Sequence, residues 1–150
     1  MNQGQRIGEL LRAAGLVTEA QLDAALSEQS RTRRLLGEIL IAHGVLSERE
    51  LTQVLSNQLS VAWVSLAHVD LTDELMTLVP KDLAHKHDLI PVHFRIGEQG
   101  QRILYVAISD PTHVAAMEEV SRTTGMHVRP LIAPRSEIRR QIEVCYRARF

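Results

Sequence analysis

Residues 6–29, RIGELLRAAGLVTEAQLDAALSEQ, align without a gap on residues 35–58, LLGEILIAHGVLSERELTQVLSNQ, at an offset of 29, and ten of the 24 aligned positions are identical. Most of the others are conservative exchanges, such as Leu10 with Ile39, Val17 with Leu46 and Thr18 with Ser47. A duplication this regular constrains the fold more than any single motif. Each copy is too short to bury its own apolar face, so the two must stack to build one core.

Within each copy the pattern is helix, glycine break, helix. Leu10 and Leu11 lie on a short helix that Gly15 ends as a left-handed C′ residue, and Thr18 with Gln21 forms a capping box that opens the next helix. Leu22, Ala25, Leu26 and Gln29 then share one helical face. The second copy repeats the scheme with Gly44, the Ser47/Glu50 capping box, and Leu51, Leu55 and Gln58. Residues 30–34, SRTRR, connect the copies.

After residue 60 the texture changes. VAWVSL (61–66) reads as extended, Thr72–Val79 and Lys81–His87 as brief helices, and LIPVHFRI with RILYVAI as two strands of a hairpin around GEQGQ. Residues 112–124 form a helix stopped by Gly125, MHVRPLI a third strand, and residues 135–147 a closing helix. The predicted class is α+β: an all-α tandem helix-pair repeat of four helices over residues 1–60, then an α+β lobe of about three strands over 61–150. With 45% apolar but only 3% aromatic residues, the core must come from Leu, Val, Ile and Ala.

Several function classes lose their support. Lys plus Arg total 17 against 18 Asp plus Glu, which gives a net charge of -1 and argues against a DNA partner. GxxxxGK[ST], GxGxxG, CxxC and GxSxG are all absent, so nothing points to an enzyme. His85, His87, Asp82 and Asp88 fit no metal-ligand spacing and read as a charged, exposed turn, so no metal is expected. The single cysteine, Cys145, fits a reducing compartment. The N-terminus has no leader pattern and no segment is long and apolar enough to insert in a membrane, so the cytoplasm is the expected location. Through Arg149 and Phe150 no motor motif occurs, which fits either a regulatory domain or a stand-alone receptor.

The leucines of the repeat are explained by helix packing. Gly8 and Gly37 are explained less well, because glycine inside a helix costs up to about 1 kcal/mol relative to alanine. Their recurrence predicts a close approach to the backbone, with a ligand as one candidate for what approaches.

The doubled pattern RLGxxLxxxGxLxxxxLxxxLxxQ, with its five-residue spacer, resembles the MshEN domain found at the N-terminus of type II secretion and type IV pilus assembly ATPases. Arg6, Ile7, Gly8, Leu11, Gly15, Val17, Leu22, Leu26 and Gln29 fill the first copy. Leu35, Leu36, Gly37, Leu40, Gly44, Leu46, Leu51, Leu55 and Gln58 fill the second. The resemblance extends into the second lobe, through the strand ending AISDP, Gly125 and a closing helix that carries Tyr146.

The resemblance implies a non-enzymatic sensor whose ligand is cyclic di-GMP. The motif residues would supply contacts, and an aspartate of the second lobe, by position Asp110, would help close over the ligand, although Asp-Pro at a strand end is also an ordinary turn device. Binding would shift the lobes, and a motor ATPase domain or another secretion or pilus protein would read the change.

The chemistry is consistent with that ligand. A two-fold symmetric dinucleotide suits two near-identical half-sites. Arg6 can stack on a purine or pair with a phosphate. The two glycines could leave N–H groups open near a helix start. Leucines would wall the rings, and Gln29 and Gln58 can donate and accept at a base edge.

Ile7 in place of Leu is a minor departure. Leu35 in place of a basic residue weakens one half-site unless Arg33 or Arg34 reaches the same group. The competing class is a nucleotide-free docking domain of a secretion or pilus ATPase system, and a third is binding of ATP or cyclic GMP.

Overall fold

The computed structural model describes residues 3–147. Backbone contacts divide the chain into two compact units, Met1–Ser60 and Val61–Phe150. Among the described residues there are eight α-helices and one three-stranded sheet, an α+β fold as the sequence predicts.

The first unit contains α1 (Gln3–Ala13), α2 (Glu19–Thr32), α3 (Leu36–Ala42) and α4 (Glu48–Leu59). The 29-residue offset survives in detail. Helices α1 and α3 end on the same Schellman motif: Gly15 N–H donates to the Arg12 carbonyl at 3.0 Å and Leu16 N–H to Leu11 at 3.1 Å. Gly44 and Val45 repeat this with Ile41 and Leu40, both at 3.0 Å. Gly15 and Gly44 take φ of 77° and 73°, where a β-carbon would be strained.

Both second helices then start on reciprocal caps. Thr18 Oγ1 accepts from Gln21 N–H at 3.1 Å while Gln21 Oε1 accepts from Thr18 N–H at 2.9 Å. Ser47 and Glu50 do the same at 3.0 and 2.9 Å. Each box satisfies two backbone donors that helix geometry would leave open. Helix α1 packs against α2, α3 and α4, and the buried Leu11, Ala25, Leu36, Ile39, Leu40 and Leu55 supply the core.

The second unit begins with an extended segment. Trp63 makes a parallel bridge with Ile132, and Ile132 donates to the Ala62 carbonyl at 2.9 Å and accepts from Val64 at 2.8 Å. A 3-10 turn, Leu66–His68, follows, then α5 (Asp73–Leu78) and α6 (Lys81–His87). Strands β1 (Leu89–Ile96) and β2 (Arg102–Ile108) pair antiparallel, and β3 (His127–Ile132) lies parallel to β2, in the order β1-β2-β3. Antiparallel neighbours need only the short GEQGQ loop, whereas the parallel pair needs a crossover, supplied by α7 (Val114–Thr124). Helix α8 (Arg135–Arg147) closes the unit and packs on β1, β2, α5 and α6.

The stretch 61–65 is extended, as expected, and gives way to the 3-10 turn at Leu66. One expectation needs correction. His85, His87 and Asp82 lie on α6 and Asp88 is its left-handed C-cap at φ 49°, so they belong to a helix and not a turn; Asp82 and His85 are exposed as expected, whereas His87 and Asp88 are half-buried. The His87 imidazole is 2.8 Å from the Glu119 carboxylate of α7. Asp88 accepts from Arg135 of α8 at 2.7 Å and from Arg139 at 3.3 Å. These are half-buried ties between elements.

Candidate ligand site on the helical repeat

The residues singled out from the repeat separate into two layers. Ile7, Gly8, Leu11, Val17, Leu22, Leu36, Gly37, Leu40, Leu46 and Leu55 are buried and form the packing layer. Arg6, Gly15, Arg33, Arg34, Leu35, Gly44 and Gln58 are exposed, and Leu26, Gln29 and Leu51 are half-buried. Only this second group has surface available to a ligand.

The two recurring glycines have a partner inside the protein. A β-carbon built on Gly8 would stand 2.6 Å from a methyl of Leu22, and one on Gly37 would stand 2.6 Å from a methyl of Leu51. What approaches each backbone is therefore a leucine of the same copy, 14 residues on. Gly8 lies in the body of α1 and not near a helix start, whereas Gly37 is the second residue of α3; both glycines are buried.

The connector between the copies is held by side chains the repeat pattern did not flag. Glu28 is 2.9 Å from the His43 imidazole and 3.6 Å from the Arg34 guanidinium. Gln29 Nε2 donates to the Arg34 carbonyl at 3.2 Å, so this glutamine already has an internal role. In the alignment of the copies Glu28 corresponds to Asn57, and His43 to Ala14. The ion pair thus sits where the two copies differ, and that departure was the available signal.

Asp110 of the second unit is buried at the end of β2. Its carboxylate accepts from Thr112 N–H at 2.9 Å and from the Thr112 hydroxyl at 2.5 Å, which pins the Asp-Pro turn and delays α7 to Val114. His113, next along, packs edge-on to His87 with ring centroids 5.2 Å apart. Burial pushes the His113 pKa down, His87 lowers it further, and Asp110 opposes both. The Cys145 thiol is pushed up by burial and then by Asp73, the reverse of an activated nucleophile. Among the described residues no group of three or more His, Cys, Asp or Glu side chains could hold a metal ion. No helix there is long and apolar enough to cross a membrane.

Residues 59–150 match the family model for the MshEN domain. The chain belongs to the MshEN domain family. This MshEN domain is 34% identical over 141 residues to the type IV pilus assembly ATPase PilB of Myxococcus xanthus, a match covering 94% of the chain and 24% of PilB. The chain therefore spans about a quarter of the length of that relative.

Among solved structures it resembles MshE with cdg, that is cyclic di-GMP, at TM-score 0.75 and 30% identity, covering 93% of this chain and 98% of that one. The N-terminal domain of XpsE shares the fold at TM-score 0.73 and 22% identity, over 95% of both chains. The family match begins at Leu59, after the repeat. Coverage of 93% of the chain necessarily reaches back into the repeat, because the second unit accounts only for residues 61–150.

Proposed function

We propose that this MshEN domain is a cytoplasmic receptor for cyclic di-GMP that holds the messenger on its tandem repeat. It catalyses no reaction itself and reports occupancy to a secretion or pilus ATPase. The observation that supports the reading most directly is the 30% identity, across 93% of the chain, to a protein solved with that ligand. The PilB relative supports an ATPase as the motor that reads the domain.

The proposed contacts are the exposed and half-buried repeat residues. Arg6 stacks on or pairs with a guanine or phosphate, Gln58 meets a base edge, and Leu26, Leu35 and Leu51 face the rings. The buried leucines and glycines set the spacing of the two half-sites. Asp110 is proposed as a further contact, its carboxylate oriented by Thr112.

One observation favours a second reading. The family match covers residues 59–150 and omits the repeat, which leaves room for a nucleotide-free domain that uses the same helices to dock a secretion or pilus partner. Calorimetric titration with cyclic di-GMP separates the two. Under the receptor reading the wild type binds saturably, Arg6→Ala and Gln58→Ala each weaken binding roughly tenfold or more, and cyclic GMP gives no heat. No heat and no thermal shift at high ligand concentration would leave the nucleotide-free docking domain.

A further inference from the structure

The second copy of the repeat begins with Leu35, where the first begins with Arg6. Leu35 is 40% exposed and presents only an isobutyl group, so this half-site has no cation of its own at that position. Two arginines stand next to it, and the structure distinguishes them.

Arg34 is engaged. Its guanidinium lies 3.6 Å from Glu28, whose other oxygen is held by His43, and its carbonyl accepts from Gln29. Arg33 is exposed and, among the described residues, its side chain pairs with no acid. Its backbone is left-handed, with φ 61° and ψ 18°, and its N–H closes α2 on the Gln29 carbonyl at 2.8 Å.

A left-handed helix cap is the position at which glycine is favoured, because a β-carbon there crowds the backbone. Arg33 shares this conformation with Ser60 at the end of α4 and Asp88 at the end of α6, and a glycine at position 33 would cap α2 without strain.

We infer that Arg33, rather than Arg34, whose guanidinium faces Glu28, supplies the second half-site with the cation that Leu35 lacks. The inference rests on the cyclic di-GMP reading and assigns Arg33 to a phosphate or the guanine acceptor edge of the half next to Leu35.

The test pairs affinity with stability. Arg33→Gly and Arg34→Ala are titrated with cyclic di-GMP beside the wild type, and each is melted without ligand. Arg33→Gly is expected to melt no lower than wild type, because the strain is relieved, and to bind roughly tenfold more weakly, the loss that one charge-assisted contact accounts for. Arg34→Ala is expected to bind within about twofold of wild type, as befits an exposed ion pair. Wild-type affinity in Arg33→Gly, or a loss confined to Arg34→Ala, would overturn the assignment while leaving the receptor reading intact. No binding by the wild type would overturn both.

Discussion

A methyl group of Leu22 lies 2.6 Å from the point where a β-carbon on Gly8 would stand, its other methyl 3.2 Å and its Cγ 3.4 Å. Leu51 makes the corresponding approach to Gly37, but with one methyl alone at 2.6 Å and its remaining atoms at 3.8 Å. The duplication thus preserves a close helix-to-helix contact in both copies, tighter in the first.

That difference predicts unequal costs for the same substitution. Gly8→Ala must displace the whole end of a buried leucine, an overpacking penalty of about 1–3 kcal/mol that the helix-propensity gain of up to about 1 kcal/mol does not cover. Gly37→Ala asks one methyl of half-buried Leu51 to swing aside, and should fall within about 0.5 kcal/mol of wild type because the two effects nearly cancel. Urea midpoints at constant slope measure both. Equal midpoints would show that Leu22 relaxes as easily as Leu51.

Asp88 joins α6 to α8 through Arg135 and Arg139, with side chains of Asp88 and Arg135 only 16% and 19% exposed. Asp88→Asn keeps a residue tolerant of the left-handed cap and removes the charge. Loss of a largely buried charge-assisted pair is expected to cost about 1–3 kcal/mol, read as a lowered denaturation midpoint of the second unit. An unchanged midpoint would mean that desolvation of the pair already offsets its attraction.

Tyr146 is fully buried near the end of α8, and its hydroxyl donates to the Val79 carbonyl at 2.9 Å. Tyr146→Phe keeps the ring packing and leaves that carbonyl short of a donor, so a loss of about 1–2 kcal/mol is expected by thermal or urea unfolding. Amide exchange near Val79 should quicken in the same variant.

His113 gives the stability a pH dependence of definite sign. Burial first and His87 second hold its pKa below 6.5, so as pH falls the unfolded chain takes up the proton before the folded one. Stability is therefore full above 6.5 and declines between that value and the lower folded one. His113→Gln should flatten this segment in melting curves taken from about pH 8 to about pH 5. Glu119 acts in a separate window: His87 and then Lys86 hold its carboxyl below 4.5, so its contribution is present above that value and lost as pH falls through the folded pKa. A decline that begins only below 4.5 would show that His113 does not contribute.

What the sequence determined by itself was everything within the reach of a helical turn or a tight loop. The Thr18/Gln21 and Ser47/Glu50 boxes, the stops at Gly15 and Gly44 and the closing helix over 135–147 involve partners at most five residues apart, where backbone geometry alone sets the contact, and the hairpin around GEQGQ grows from a loop of that length. Their chemistry was legible because period and capping are local properties. The tertiary structure decided what depends on distant partners. Leu22 approaches Gly8, Glu28 reaches His43 and so engages Arg34, and His87 pairs with Glu119 across 32 residues. It also separated the buried leucines of the repeat from the half-buried Leu26 and Leu51 and the exposed Leu35. The reason is physical: a sequence pattern shows which face of a helix is apolar, but only the packing of that face against other elements determines which atoms remain at the surface.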